Sequence, residues 1–179
     1  MLIRTPEQDI ERVLFTEKAI AARVEQLGAD LTAKLGDKRP VLVCVLKGAS
    51  FFYIDLCRCM NCAIDMDFIA VSSYGASAQS TGVVRLIKDL DNNITGRHVV
   101  IVEDIVDTGE SIEYMICDLK AQKPASLEVC TLFFKPGSYR KQIPIKYRAM
   151  EIGNEFIVGY GLDYDQLGRS LKDIYVVTE

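Results

Sequence analysis

The chain has 179 residues, 49% hydrophobic and 26% charged, with a formal net charge of −4 and no basic stripe. This composition is typical of one globular domain, residues 1–179, with a sizeable core, and it argues against nucleic acid as a partner. No apolar run reaches the ~18 residues that cross a bilayer, and the first 12 residues lack a signal-peptide core, so we expect a cytoplasmic protein without membrane association.

The first half of the chain predicts helices that alternate with buried strands. A helix runs from Thr16, whose side chain can cap it, to about residue 35, and Gly36 ends it. Its apolar stripe is Ile20, Val24, Leu27 and Leu31. The elements that follow are an apolar strand (41–46), a helix (50–60), a strand (66–73), a polar loop (74–82) and a short strand (83–86).

The second half continues the same alternation. Its predicted elements are a strand (99–103), a helix (112–121), a strand (127–134) and three short strands (149–152, 156–160 and 174–177). Buried strands alternating with helices predict an α/β fold with a mainly parallel central sheet flanked by helices. Ligands bind beyond the carboxyl ends of such strands, so Lys47, Lys135 and residues 103–111 are expected at one edge of the sheet.

The most informative segment is residues 99–111. Its first four residues are branched and apolar and predict a buried strand, at whose end stand Glu103 and Asp104. Asp107 and then Thr108-Gly109-Glu110-Ser111 lead into a helix, which is the pattern of an anion site built from backbone N–H groups. Because carboxylates repel a phosphate, carboxylates at this site are expected to bind another group, such as sugar hydroxyls, a metal or a cationic transition state. The segment therefore predicts a phosphorylated sugar as ligand.

This segment resembles the phosphoribosyl-diphosphate motif of the type I phosphoribosyltransferases, two acidic residues followed by Asp-Thr-Gly and a Ser or Thr. Further motifs resemble the hypoxanthine-guanine branch of that family. They are Leu46-Lys47-Gly48, Ser73-Tyr74 with Ser80-Thr81-Gly82, Lys135, and the string Phe156-Ile157-Val158-Gly159-Tyr160-Gly161-Leu162-Asp163-Tyr164. The resemblance extends from about Val41 to the C-terminus and implies the type I phosphoribosyltransferase fold, with a small hood built from the chain ends.

The resemblance implies a purine salvage enzyme. Such an enzyme transfers the 5-phosphoribosyl group of phosphoribosyl diphosphate to hypoxanthine or guanine, with Mg²⁺ as cofactor, and forms a homodimer or homotetramer. Use of xanthine as a further substrate stays open, since the sequence does not fix the relative use of the three bases. A regulatory protein on the same fold is the alternative from another class. It predicts an extra nucleic-acid-binding domain or a basic face, and neither is visible in the sequence.

On the donor side, the resemblance assigns Glu103 and Asp104 to the ribose hydroxyls, directly or through Mg²⁺ and water. The string Thr108-Gly109-Glu110-Ser111 would hold the 5′-phosphate, with the Glu110 side chain facing solvent because an anion repels a phosphate. The residues assigned to diphosphate are Lys47, Gly48 and Arg169, with a cis peptide bond between Leu46 and Lys47. The residues assigned to Mg²⁺ are Glu103, Asp104 and Asp163, oxygen ligands that suit this hard cation.

On the purine side, the resemblance makes Asp107 the acid/base group that faces N7 of the base. A simpler interpretation is that Asp107 caps the following helix, and the two roles are compatible. Lys135 would donate to O6, Phe156 would stack on the base, and Ile157 would supply backbone contacts. Ser73 and Tyr74 would lead a lid over the reacting ribose that excludes water, against the alternative of a plain surface loop.

Three of the six cysteines, Cys57, Cys59 and Cys62, have a spacing that suggests a zinc site. The fourth ligand is missing, since the only histidine, His98, lies far along the chain before a buried strand. We therefore predict reduced cysteines that pack in the fold, as in a cytosolic protein, and a structural role for His98.

Overall fold

The computed structural model describes residues 9–73 and 84–178. The first elements are β1 (Ile10–Phe15), α1 (Glu17–Leu35), β2 (Val41–Leu46), α2 (Ser50–Cys59), β3 (Asp65–Ser73) and β4 (Val84–Lys88). They are followed by β5 (His98–Val106), α3 (Glu110–Ala121), β6 (Ser126–Phe134), β7 (Tyr147–Glu151), β8 (Ile157–Val158) and β9 (Ile174–Val177). In these two ranges, no helix combines the length and apolar character that a membrane span requires.

The main sheet has the strand order β4-β3-β2-β5-β6-β7. All its neighbouring strands pair in parallel except β4, which runs antiparallel to β3 at one edge. One face of the sheet packs against α1 and α2, and the other packs against α3. In β2, Leu42 and Cys44 face the first layer and Val41, Val43 and Val45 face the second, which explains why the strand is apolar throughout. The predicted α/β fold is confirmed.

Helix α1 follows the sequence prediction closely. The Thr16 side chain accepts a hydrogen bond from the backbone N–H of Ala19 at 3.3 Å, and the helix ends at Leu35. The predicted apolar stripe is buried and lies in the same core cluster as α2. The helix is therefore specified by its cap and by its buried face.

The hood is the small sheet of order β1-β9-β8, in which strands from both ends of the chain pair antiparallel. The hood was expected from the resemblance and is confirmed, but the sequence pattern did not predict β1. Glu11, Arg12 and Val13 of β1 are exposed, so the strand lacks a strong hydrophobic pattern. Its pairing with β9, more than 150 residues away, supplies what the local sequence does not.

Several element boundaries differ from the predictions. Strand β5 continues three residues past the predicted end at 103, so Glu103 and Asp104 lie within the strand. Helix α3 begins at Glu110, two residues before the predicted start at 112. Strand β7 begins two residues before the predicted start at 149 and ends one residue before the predicted end at 152. Strand β8 is limited to Ile157–Val158 within the predicted 156–160. The predicted loop 74–82 and residue 83 lie outside the described residues.

Candidate active site

Two adjacent cavities lie at the carboxyl edge of the main sheet. The larger, of about 490 Å³, is bordered by the Lys47-Gly48 segment after β2, by residues 103–112, and by Asp163 and Arg169. The smaller, of about 290 Å³, is bordered by Lys135, Phe156 and Ile157. Asp104, Ile105, Asp107 and Asp163 border both cavities. The predicted convergence of the three segments on one edge is confirmed, and we call the cavities the donor cavity and the purine cavity.

Glu103, which is buried, and Asp104, which is half-buried, form an acidic pair in the donor cavity. Burial, followed by the charge of Asp104, raises the pKa of Glu103. Burial also raises the pKa of Asp104, whose ionised form is favoured in turn by Arg169 nearby. The Asp104 carboxylate lies against Gly48, where a Cβ would overlap its Oδ2 atom. Two adjacent carboxylates removed from much of the solvent are costly unless hydroxyl donors or a cation face them. Ribose hydroxyls and Mg²⁺ are the partners predicted for this pair.

The turn between β5 and α3 is open to an anion. Gly109 occupies the N-cap position of α3 with φ +89°, and no side chain caps the helix. The first N–H groups of the helix therefore keep their capacity to bind a phosphate. The Glu110 side chain is exposed, as expected. Because Gly109 holds the cap position, the alternative that Asp107 caps α3 is wrong.

Asp107 and Lys135 meet at the purine cavity. The Lys135 Nζ atom lies 3.7 Å from Asp107 Oδ2 and donates a 3.1 Å hydrogen bond to the backbone carbonyl of Glu155. Lys135 is 9% exposed, so its charge is held by these two acceptors in a largely desolvated position. The Phe156 ring stands edge-on to Tyr164 at a centroid distance of 5.6 Å and remains 37% exposed, which leaves it free to stack on a flat ligand.

The loop after β2 and the segment after β8 both border the donor cavity and contact each other where Gly161 packs on Gly48. The peptide bond between Leu46 and Lys47 is cis, which confirms that prediction. Arg169 forms an ion pair of 2.7 Å with Asp163 Oδ1 and donates a hydrogen bond of 2.7 Å to the backbone carbonyl of Gly161. Asp163 Oδ2 accepts a hydrogen bond from the N–H of Gln166 at 2.8 Å. The two residues assigned to diphosphate and metal thus hold each other in place.

Some predicted and unpredicted residues need separate mention. Tyr74 lies outside the described residues, and of Ser73 only the backbone, at the end of β3, is described. Ile105 and Leu162 border the purine cavity but were not predicted. Both are aliphatic, so their residue type does not distinguish them from core residues.

The cysteines and His98 border neither cavity. Cys44 and Cys130 are buried, and Cys57, Cys59 and Cys62 pack against the core as free thiols. Over residues 9–73 and 84–178, no three acidic, histidine or cysteine side chains converge as metal ligands would. His98 Nδ1 lies 2.7 Å from Ser126 Oγ and so links β5 to β6, in line with the predicted structural role.

Comparison with known proteins finds similarity over nearly the whole chain. Residues 13–165 match the family described as the phosphoribosyl transferase domain. The chain is 43% identical over 173 residues to a hypoxanthine-guanine phosphoribosyltransferase of Streptococcus thermophilus, covering 97% of this chain and 96% of that protein. It is 43% identical over 172 residues to a hypoxanthine-guanine-xanthine phosphoribosyltransferase of Tritrichomonas foetus, covering 96% and 93%. A hypoxanthine phosphoribosyltransferase structure from Staphylococcus aureus superposes with a TM-score of 0.92 at 38% identity, covering 99% and 97%.

Proposed function

The chain belongs to the phosphoribosyltransferase family, and on that premise we propose that it is a purine salvage enzyme acting on hypoxanthine and guanine. It transfers the 5-phosphoribosyl group from phosphoribosyl diphosphate to N9 of the base and releases diphosphate. The observation that carries this proposal is the pair of adjacent cavities. One combines an open helix N-terminus with buried carboxylates, and the other combines Asp107 and Lys135 with an exposed aromatic face.

In the donor cavity, the first N–H groups of α3, with the hydroxyls of Thr108 and Ser111, bind the 5′-phosphate. Glu103 and Asp104 accept hydrogen bonds from the ribose hydroxyls, and their negative charge favours the cationic character that C1′ acquires as diphosphate leaves. Lys47, Gly48 and Arg169 bind the departing diphosphate. The family resemblance and the positions of these residues around one cavity support the assignment.

In the purine cavity, Lys135 donates to O6 and Asp107 accepts the proton that N7 loses. The N9–C1′ bond forms as the bond from C1′ to the diphosphate oxygen breaks. The base enters neutral and would become a cation when N9 bonds to C1′, so it loses the N7 proton to Asp107. O6 and N7 lie on one edge of a 6-oxopurine, and the 3.7 Å between Lys135 Nζ and Asp107 Oδ2 suits two groups that face that edge. Phe156 stacks on the ring, and the backbone of Ile157 contacts its far edge.

Mg²⁺ is the proposed cofactor, and the donor set fits it. Glu103, Asp104 and Asp163 offer hard carboxylate oxygens around the donor cavity. Since they do not converge as a complete ligand set, phosphate oxygens and water would complete the coordination. When bound, Mg²⁺ offsets the negative charge of the diphosphate. Asp163, already oriented by Arg169 and by the N–H of Gln166, would hold it at the diphosphate end.

Four further properties belong to the proposal. Residues 1–179 act as one phosphoribosyltransferase domain, assembled as a homodimer or homotetramer in the cytoplasm. Ser73 and Tyr74 lead a lid that keeps water from the cationic ribose carbon. These assignments are supported by the resemblance of the chain to its family.

The direct test is product formation. Purified protein is incubated with phosphoribosyl diphosphate, Mg²⁺ and hypoxanthine or guanine, and the nucleotides are separated by chromatography. We expect IMP and GMP in amounts equal to the diphosphate released. Xanthine is assayed alongside, because the similar Tritrichomonas foetus protein carries xanthine in its name. Absence of nucleotide with every base would contradict the proposal.

A further inference from the structure

A hydrogen bond outside both cavities links the segment after β8 to helix α2. The hydroxyl of Tyr160 donates to Oδ2 of Asp55 at 2.6 Å, across a sequence separation of 105 residues. Only 8% of Tyr160 is exposed, and its ring lies 6.2 Å from that of Phe51. Burial, followed by the hydrogen bond to Asp55, raises the pKa of Tyr160, so the hydroxyl remains a proton donor at neutral pH.

The two partners of this bond are connected to different halves of the active site. Asp55 lies in α2, which begins directly after the Lys47-Gly48 loop of the donor cavity. Tyr160 follows β8, at whose start Phe156 borders the purine cavity. Neither Asp55 nor Tyr160 borders either cavity. The bond is therefore placed to fix one half-site relative to the other without touching a substrate.

A second contact strengthens the connection at the same place. Gly161 packs against the backbone carbonyl of Gly48, where a Cβ would overlap the oxygen atom. The turn formed by residues 159–161 has positive φ throughout, including +46° at Tyr160. A tyrosine in this region persists only where its surroundings hold it. Here the Tyr160 N–H donates to the carbonyl of Leu171 at 2.8 Å and its hydroxyl holds Asp55.

We propose that the Asp55–Tyr160 hydrogen bond is a positioning contact that couples occupancy of the purine cavity to the diphosphate affinity of the Lys47-Gly48 loop. The inference rests on the proposed function. With the bond intact, a ligand that orders the segment after β8 also orders the loop before α2. Without it, the packing of Gly161 on Gly48 still joins the two segments, but a ligand that orders one of them orders the other less.

Calorimetry tests this coupling at equilibrium. The dissociation constant of diphosphate in Mg²⁺ is measured for the free protein and for protein saturated with GMP, and the coupling is the constant of the free protein divided by that of the GMP complex. GMP also fills the ribose and 5′-phosphate part of the donor cavity, and its direct effect on diphosphate is common to the wild type and the variants. The difference in coupling between them therefore reports the hydrogen bond. We expect a ratio above one in the wild type. Tyr160→Phe, which keeps the ring and removes the donor, should move the ratio toward one by about 3- to 10-fold. Asp55→Asn, which keeps an acceptor, should retain more of the coupling than Asp55→Ala.

The chain offers a matched control in Tyr147. It is also 8% exposed, and its hydroxyl donates to Glu128 Oε2 at 3.0 Å, near the amino ends of β6 and β7. Tyr147→Phe should lower the melting temperature as Tyr160→Phe does, yet leave the ratio unchanged. A wild-type ratio in both Tyr160→Phe and Asp55→Ala would overturn the inference, as would an equal loss in Tyr147→Phe.

The same data separate the two proposals. If the wild type forms nucleotide and shows coupling but the Asp55 and Tyr160 variants keep that coupling, only the positioning role fails. If the wild type forms nucleotide but its ratio is one, the positioning role again fails alone. If the wild type neither forms nucleotide nor binds GMP and diphosphate, the proposed function and the inference fail together.

Discussion

Asp107 and Lys135 place a proton acceptor and a proton donor side by side in the purine cavity, 3.7 Å apart. The sequence could assign both residues, because each follows a buried strand that ends at the ligand edge and matches a family motif. It could not show the backbone carbonyl of Glu155 that holds the Lys135 ammonium, since that contact depends on how the loop after β7 returns to the site. Their roles are separable by substitution.

Asp107→Asn keeps the shape of the side chain and removes the proton acceptor. General acid–base groups typically contribute about 10²–10⁴-fold, so we expect kcat to fall by this range. Donor affinity should change little, because the proposed phosphate site is the start of α3 and not Asp107. Single-turnover kinetics measure the chemical step even where product release limits kcat. A chemical step near the wild-type rate would remove Asp107 from the mechanism.

Lys135→Gln tests whether Lys135 discriminates 6-oxopurines from adenine. An ammonium only donates, whereas a side-chain amide donates or accepts. Adenine carries an amino group at C6, which would leave two donors unpaired at a cost of about 1–3 kcal/mol for each group. We expect the wild type to discriminate strongly against adenine and the variant to relax this preference, measured as the ratio of kcat/KM values. An unchanged ratio in the variant would contradict the role of Lys135.

At the scale of the elements, loops at the two ends of the main sheet have different tasks. The carboxyl ends border the two cavities, and the amino ends of β2, β3 and β5 are joined by ion pairs. Strand β2 and helix α1 were predicted to within a residue or two, because their hydrophobic patterns and the Thr16 cap are local. The continuation of β5 to Val106 was not predicted, because Glu103 and Asp104 are charged and usually mark the end of a buried strand. Here they lie within the strand and border the donor cavity.

Gly109→Val tests the phosphate cradle at the start of α3. The residue has φ +89°, and an added Cβ would lie 2.5 Å from Tyr139 Cε2 and 2.8 Å from Lys141 Cγ. Backbone strain of about 1–3 kcal/mol at the cradle should raise the KM for phosphoribosyl diphosphate about tenfold or more. Gly96→Val is the matched control, since Gly96 has φ +69° and nothing near its Cβ position. Equal donor KM values for both variants would contradict the cradle.

Asp65 ties the amino ends of three neighbouring strands. Hydrogen bonds from Arg97, before β5, and from Arg39, before β2, lower the pKa of Asp65 at the start of β3. A lowered folded pKa adds stability above the unfolded value of about 3.9, and this stability is lost as the pH falls through the folded value. Asp65→Asn should therefore lower the melting temperature at pH 7, and the difference should shrink below about pH 4. A difference of equal size at pH 3 and pH 7 would show that charge is not its cause.

At the scale of the whole molecule, the chain ends build the hood, and the hood completes the site. The sequence pattern predicted the main sheet and its ligand edge, because β2 is apolar throughout and β6 is mostly apolar. It did not predict how the segment after β8 meets the loop after β2. The contacts of Gly161 with Gly48 and of Tyr160 with Asp55 join residues over 100 positions apart and leave no local signal in the sequence.

The measurement that tests the central claim most directly is diphosphate release with a panel of bases. The protein is assayed with phosphoribosyl diphosphate and hypoxanthine, guanine, xanthine or adenine, each with Mg²⁺ and with excess chelator. With Lys135 in the purine cavity, we expect rapid diphosphate release with hypoxanthine and guanine and negligible release with adenine. With carboxylates as metal ligands in the donor cavity, we expect loss of activity in chelator. Comparable kcat/KM values for adenine and hypoxanthine, or full activity in chelator with no metal retained on the protein, would contradict the account.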